Sequence, residues 1–218
     1  MMGGHMVGFE ILISGLVLFM FLHILSGTHE ARESIVSKTG LLAYRLIHSI
    51  GSVVGLILIV RGYSANPKVE LYALQGWAQT APIFIMPVAL IFLVGSRPSS
   101  DIGRFTRHPM LWAIVLWSAA HLLANGDKAS VMLFGSFLVY GLLAMKLADV
   151  KKAKSNPEAW EKIKQHTSVI PFVALLQGRA EPARGDYGLK AVIGGLFLYS
   201  LLLWLHSYFT GVALIMLR

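Results

Sequence analysis

Apolar residues run nearly unbroken through six stretches of this chain, at about residues 7–25, 41–60, 81–94, 110–123, 129–145 and 191–217. Polar segments separate them. Neither a strict alternation nor a one-sided helical stripe is visible. Most of the stretches are apolar all round, as helices are when no face is given to water. A helix of about 20 such residues crosses a hydrocarbon core of about 30 Å. The pattern therefore predicts an all-α, polytopic transmembrane helix bundle of about six spans, forming one domain over residues 1–218. A break near Phe209-Thr210-Gly211 would make it seven. The first run has neither a basic leader nor a small-residue cleavage site, so it reads as a retained helix.

The segments between the runs add detail. Residues 26–40 read as a polar loop and residues 61–79 as an interfacial one. Pro87 should bend the third span. Gly51 and Gly55 stand in small-xxx-small spacing, which lets a neighbouring helix approach closely. In the long basic segment 146–190, Asn156-Pro157-Glu158 reads as an N-cap followed by proline at the first helical position. A short cytoplasmic interfacial helix follows over residues 159–166, with Trp160 and Ile163 on one side.

The composition fits a membrane protein, with 56% of residues hydrophobic and 14% charged, against roughly 25% charged in soluble domains. The formal charge of +8 would suggest nucleic acid in a soluble chain. Here the positive-inside effect accounts for it, so no nucleic-acid partner is expected. Arg32, Lys38, Arg97, Arg104, Arg107 and the cluster 151–190 lie in loops after odd-numbered spans. Only Arg61, Lys68, Lys128 and Arg218 lie on the other side. The basic loops should face the cytoplasm, with both termini periplasmic. There is no cysteine, which excludes disulfides, thiolate metal sites and cysteine nucleophiles.

Candidate chemistry rests on histidine. His5, His29 and His166 fall at ends or in loops, and His206 lies in the last span. His23, His48 and His121 lie within spans, where an imidazole needs partners for both nitrogens. Two readings stay open: interhelical hydrogen bonding, and ligation of a metal or haem by two rings on facing helices. On the fourth span, Ser118, His121 and Asn125 share a face, and Trp112 and Trp117 add flat surfaces. At its foot, Arg107 and His108 could hold anionic groups, such as haem propionates or a phosphate, or could simply snorkel.

The stretch RHPMLWAIVLWSAAHLLANGD resembles the NnrU family, named from denitrifying bacteria, and the related 15-cis-zeta-carotene isomerases. FLHILSGTHEARES, AYRLIHSIGSVVGLILIVRGY and EAWEKIKQHTSVIPF extend the likeness over most of the chain. The resemblance implies a multi-pass protein of the bacterial inner membrane that holds haem b. Its iron ligands would be His121 and His23, with His29 or His48 as alternative second ligands, and Arg45, Arg107, His108, Trp112, Ser118 and Asn125 would line the cofactor. It also implies a polyene such as a carotenoid, or another lipophilic substrate, isomerised cis–trans in a redox-dependent way, or else a link to nitrogen-oxide respiration. Two alternatives stand beside this: a non-catalytic assembly partner of respiratory complexes, and an S-adenosylmethionine-dependent membrane methyltransferase. The latter is disfavoured because Lys151 and Lys152 stand where such enzymes carry an acidic pair, with only Asp149 nearby. A rise of about 1.5 Å per residue puts His23 and His121 roughly 8–14 Å apart in depth. The smaller value permits one iron between them. The larger would pair His23 with His48.

Overall fold

The computed structural model describes residues 3–97, 101–182, 185 and 187–212. Nine α-helices appear among them: α1 (Gly3–Gly27), α2 (His29–Thr39), α3 (Leu41–Ala65), α4 (Gly76–Val94), α5 (Pro109–Ala124), α6 (Lys128–Ser155), α7 (Pro157–His166), α8 (Val173–Leu176) and α9 (Tyr187–Thr210). A 3-10 turn, Asp101–Arg104, precedes α5. Five helices, α1, α3, α4, α6 and α9, are long and apolar enough to cross a membrane, and α5 is a shorter apolar sixth. The all-α polytopic bundle follows.

Several boundaries differ from expectation. Residues 26–40 are not a loop, since α2 occupies most of them; α2 has no buried residue and caps one end of the bundle. α3 runs to Ala65 and α6 to Ser155, each beyond its apolar run, because a helix need not stop where its chain leaves the hydrocarbon. Pro82 and Pro87 both lie inside a continuous α4. α9 ends at Thr210, and Gly211 follows at φ +70°. Residues 213–217 of the expected last span lie outside the described residues. Asn156 caps α7 as the sequence suggested, accepting from the Ala159 N–H at 3.0 Å.

The helices pack in a row, α3 on α1, α1 on α6, α6 on α5, α5 on α4 and α4 on α9. The α1–α3 contact depends on missing side chains. A Cβ on Gly15 would sit 2.6 Å from the Ile59 amide nitrogen, and one on Gly55 would sit 3.2 Å from Phe19. Helices joined by small residues gain backbone contact that lipid cannot replace. Gly15→Val should therefore cost about 1–3 kcal/mol through overpacking. Thermal unfolding in detergent should show a lowered midpoint. Val17→Leu, on the exposed side of the same helix, should leave the midpoint unchanged.

At 16 residues α5 is about 24 Å long, short of the hydrocarbon thickness. It can be short because protein covers both its ends. At one end Tyr72 donates its hydroxyl to the carbonyls of Asn125, at 2.9 Å, and Leu122. The Leu71 amide bonds the Gly126 carbonyl at 2.8 Å beside it. At the other end, which gathers most of the basic residues, the segment around Ser168 closes over Arg107: the Arg107 amide donates to the Ser168 carbonyl at 2.9 Å.

Candidate functional site

Two clusters of polar and aromatic side chains lie inside the bundle. The first surrounds His121. Its Nδ1–H donates to the Trp117 carbonyl one turn back, at 2.8 Å, which leaves Nε2 with the lone pair. Its ring stacks on Phe134 of α6 at 4.8 Å and lies 5.4 Å from Trp117. Trp117 also meets Phe134 at 5.0 Å and Phe137 at 5.5 Å, both edge-on, an arrangement that the ring quadrupoles favour. Asn125 donates its side-chain amide to the His121 carbonyl at 2.9 Å. Ser118, fully buried one turn below, has no partner for its Oγ.

The second cluster surrounds His23, nearer the basic end. Its Nδ1–H donates to the Phe19 carbonyl at 2.8 Å. Phe19 stacks on the ring at 4.0 Å. His48 of α3 lies 5.1 Å from it and Tyr140 of α6 lies 6.2 Å from it, centroid to centroid. Each histidine therefore carries an aromatic residue four positions earlier and fixes its tautomer on that residue's carbonyl, so Nε2 is available in both.

The donor atoms suit haem iron, but their spacing does not. A single iron needs its two nitrogens about 4 Å apart, at roughly 2 Å each. Between His23 and His121 stand Phe19, Phe137 and Trp117, in successive ring contacts of 4.0, 5.7, 5.5 and 5.4 Å. The helix order gives the reason: α6 lies between α1 and α5. The imidazole that His23 meets is His48.

Apart from His206, whose ring lies within electrostatic range of His121, the other residues singled out from the sequence fall elsewhere. Arg45 is exposed on α3. His29 heads α2 and pairs with Glu33 at 3.2 Å. His206 sits beside Thr210 and the Val212 carbonyl at the end of α9. Trp112 is half-buried against Phe92, Ile102, Ala113 and Ala191, and its indole N–H donates to the Val169 carbonyl at 2.7 Å.

Arg107 and His108 neither snorkel nor stand open to an anion. Their side chains are 9% and 4% exposed, and both bind Asp149 of α6, at 3.3 and 2.7 Å. Arg107 also donates to the Thr167 carbonyl at 3.0 Å and lies 5.0 Å over the Trp160 ring. Asp149, too isolated in sequence for a methyl-transfer site, is thus the internal counterion of this foot. A signal for it existed. Two buried cationic residue types before a span need a carboxylate, and Asp149 is the sole acid between residues 146 and 157.

Burial pushes the His108 imidazole below its usual range, outweighing the pull of Asp149. The folded state therefore disfavours its protonation relative to the unfolded chain. The stability it contributes is fully present above about pH 6.5 and falls as the pH drops from there toward the lowered folded value. Protease accessibility of segment 167–172 should accordingly rise between about pH 7.5 and about pH 5.5, and His108→Gln should flatten that rise.

A helical membrane bundle with two buried aromatic–histidine clusters defines an integral membrane protein of the multi-pass class. The NnrU protein family model matches residues 11–214, and the chain belongs to that family. It is similar to the chloroplastic 15-cis-zeta-carotene isomerase of Arabidopsis thaliana, 36% identical over 80 residues. The Zea mays isomerase is 35% identical over the same length. Each match covers 37% of this chain and 22% of the relative, so the chain spans about a fifth of the length of these relatives. No solved structure gives a significant match.

Proposed function

We propose that this protein isomerises a carbon–carbon double bond of a polyene hydrocarbon, of carotenoid type, within the membrane. The observation that carries the reading is its similarity to two zeta-carotene isomerases. The His121 cluster supports it chemically. A hydrocarbon substrate offers no hydrogen-bonding group, so it must be held by dispersion and π contact. Trp117, Phe134 and Phe137 supply such surfaces beside the imidazole. An apolar cleft of about 300 Å³, lined by Tyr72, Trp77, Leu122 and Leu123 among others, lies at the end of α5 that carries His121. Cis–trans conversion adds and removes no atoms, so the protein's part is to hold the polyene and stabilise the twisted bond.

The haem b implied by the family resemblance finds suitable nitrogens at His23 and His121 but not the spacing. Absorption spectroscopy addresses it separately: a Soret band lost in His121→Ala would require Phe19, Phe137 and Trp117 to part around a porphyrin. The charge distribution supports placing the basic end in the cytoplasm of a bacterial cell, with the termini across the inner membrane.

Expression in a host that accumulates a poly-cis carotenoid tests the reading. Chromatography should show the isomer ratio shifted by the wild-type chain and returned to the level of the empty host by His121→Ala. An unchanged ratio with membrane-inserted wild-type protein would sink it.

A further inference from the structure

Between α7 and α9 the chain forms a short segment, residues 167–176, that ends in α8 and closes over the foot of α5. Most of its carbonyls accept from the protein. The Thr167 carbonyl accepts from the Arg107 guanidinium at 3.0 Å, and the Ser168 carbonyl from the Arg107 amide at 2.9 Å. The Val169 carbonyl takes the Thr106 hydroxyl at 2.8 Å and the Trp112 indole N–H at 2.7 Å. Ser168 is buried, and its hydroxyl serves twice: it donates to the Ile170 carbonyl at 2.8 Å and accepts from the Ala174 amide at 2.9 Å. The carbonyls of residues 172–175 accept from amides further along, and the Phe172 amide donates to the Phe105 carbonyl at 2.7 Å. Pro171 has no N–H to satisfy. A loop in water leaves many such groups to solvent, whereas irregular backbone at membrane depth must find its partners in the protein.

The side chains sort in the same sense. Ile170, Phe172 and Leu176 are 63%, 44% and 84% exposed, while Ala174 between them is fully buried. Phe172 stands at φ +68°, a strained position for a bulky residue, so its ring is placed there against local preference. The polar groups nearby turn to α7 instead. Arg179 donates to the Gln165 carbonyl at 2.7 Å and to the Gln177 side chain at 2.9 Å, and the His166 ring meets the Arg179 carbonyl at 3.1 Å.

Two observations set the depth. α5 is about 24 Å long against a hydrocarbon core of about 30 Å, so whatever covers its foot lies near the hydrocarbon boundary. The residue that meets Val169 is Trp112, in the first turn of α5. Met110, two residues earlier, is exposed and brings the outer apolar surface of the bundle to the same level. We propose that residues 168–176 form a re-entrant wedge in the leaflet at the basic end, with Ile170, Phe172 and Leu176 among the acyl chains at the headgroup boundary. The cover over Arg107 and His108 is then lipid on its outer side, and α7 with its lysines lies on the aqueous side of the wedge.

The chain has no cysteine, so single nitroxide labels can be placed on the otherwise native protein. Ile170→Cys and Leu176→Cys carry the test label. Val139→Cys, on the exposed middle of α6, is the lipid reference, and Lys162→Cys on α7 is the aqueous one. Each protein is reconstituted in phosphatidylcholine liposomes, with its thermal midpoint in detergent checked against wild type. Spin relaxation is then measured with dissolved oxygen, which concentrates in acyl chains, and with a nickel chelate, which stays in water. At 170 and 176 oxygen should relax the label more than the chelate does, as at 139, with the order reversed at 162. The chelate prevailing at 170 and 176 would make the segment an aqueous loop and overturn the wedge. Shielding of both labels from both agents would mean that protein, such as a second copy of this chain, covers the surface, and would overturn it equally.

Discussion

Asp149→Ala is expected to unfold the basic end of the bundle, at a cost of about 3–5 kcal/mol, the usual penalty for leaving a buried charge without its partner. Asp149 is the carboxylate for both Arg107 and His108, and the Arg107 Nε is already buried with no partner. Removing the acid strands two groups at once. The consequences should spread, because Arg107 also fixes Thr167 and Trp160. Thr106 reaches the neighbouring Val169 carbonyl at 2.8 Å. The foot of α5, the end of α6 and segment 167–172 are thus tied through one carboxylate. Asp149→Asn keeps an acceptor for His108 while losing the charge, and should fall between. Thermal unfolding in detergent measures this, and an Asp149→Ala midpoint equal to wild type would refute the internal-counterion role.

The second large effect is expected further along α5, toward its opposite end. Trp117→Ala removes the ring that touches His121, Phe134 and Phe137 together. Emptying such a site costs about 3–5 kcal/mol, part of it for the cavity left behind. The same change opens the layer that keeps His23 apart from His121. Trp117→Phe should recover most of the stability, and Trp117→Ala should also lose isomer conversion at temperatures where it remains folded. Conversion at the wild-type rate in folded Trp117→Ala protein would remove the aromatic cluster from the proposed reaction.

The helices were legible in the sequence because apolar length alone specifies a membrane span, and five of them meet that criterion outright. The Asn156-Pro157 start of α7 was legible because capping is local chemistry. Side-chain pairings across helices were harder. His108 and Asp149 are 41 residues apart, and only the packing of α5 on α6 brings them together. The same holds for His23: its helical neighbours were readable, but whether it would meet His48 or His121 depended on which helix lay between. α2 was not legible as a helix because its residues carry no apolar run; it forms on polar helix-formers and packs against α1, α3 and α6. Phe134, Phe137 and Tyr140 were readable as aromatics spaced along one helix, though nothing local said that they faced histidines.

The most direct measurement is conversion by the purified wild-type protein reconstituted in liposomes with a poly-cis carotenoid, in darkness and with a reductant present. Chromatography of the extracted pigment would follow it. If the protein is a polyene isomerase, one double-bond isomer should shift to another with time, in proportion to protein, and not at all with His121→Ala. An isomer composition that stays equal to protein-free liposomes, with the protein shown to be folded and inserted, would contradict it.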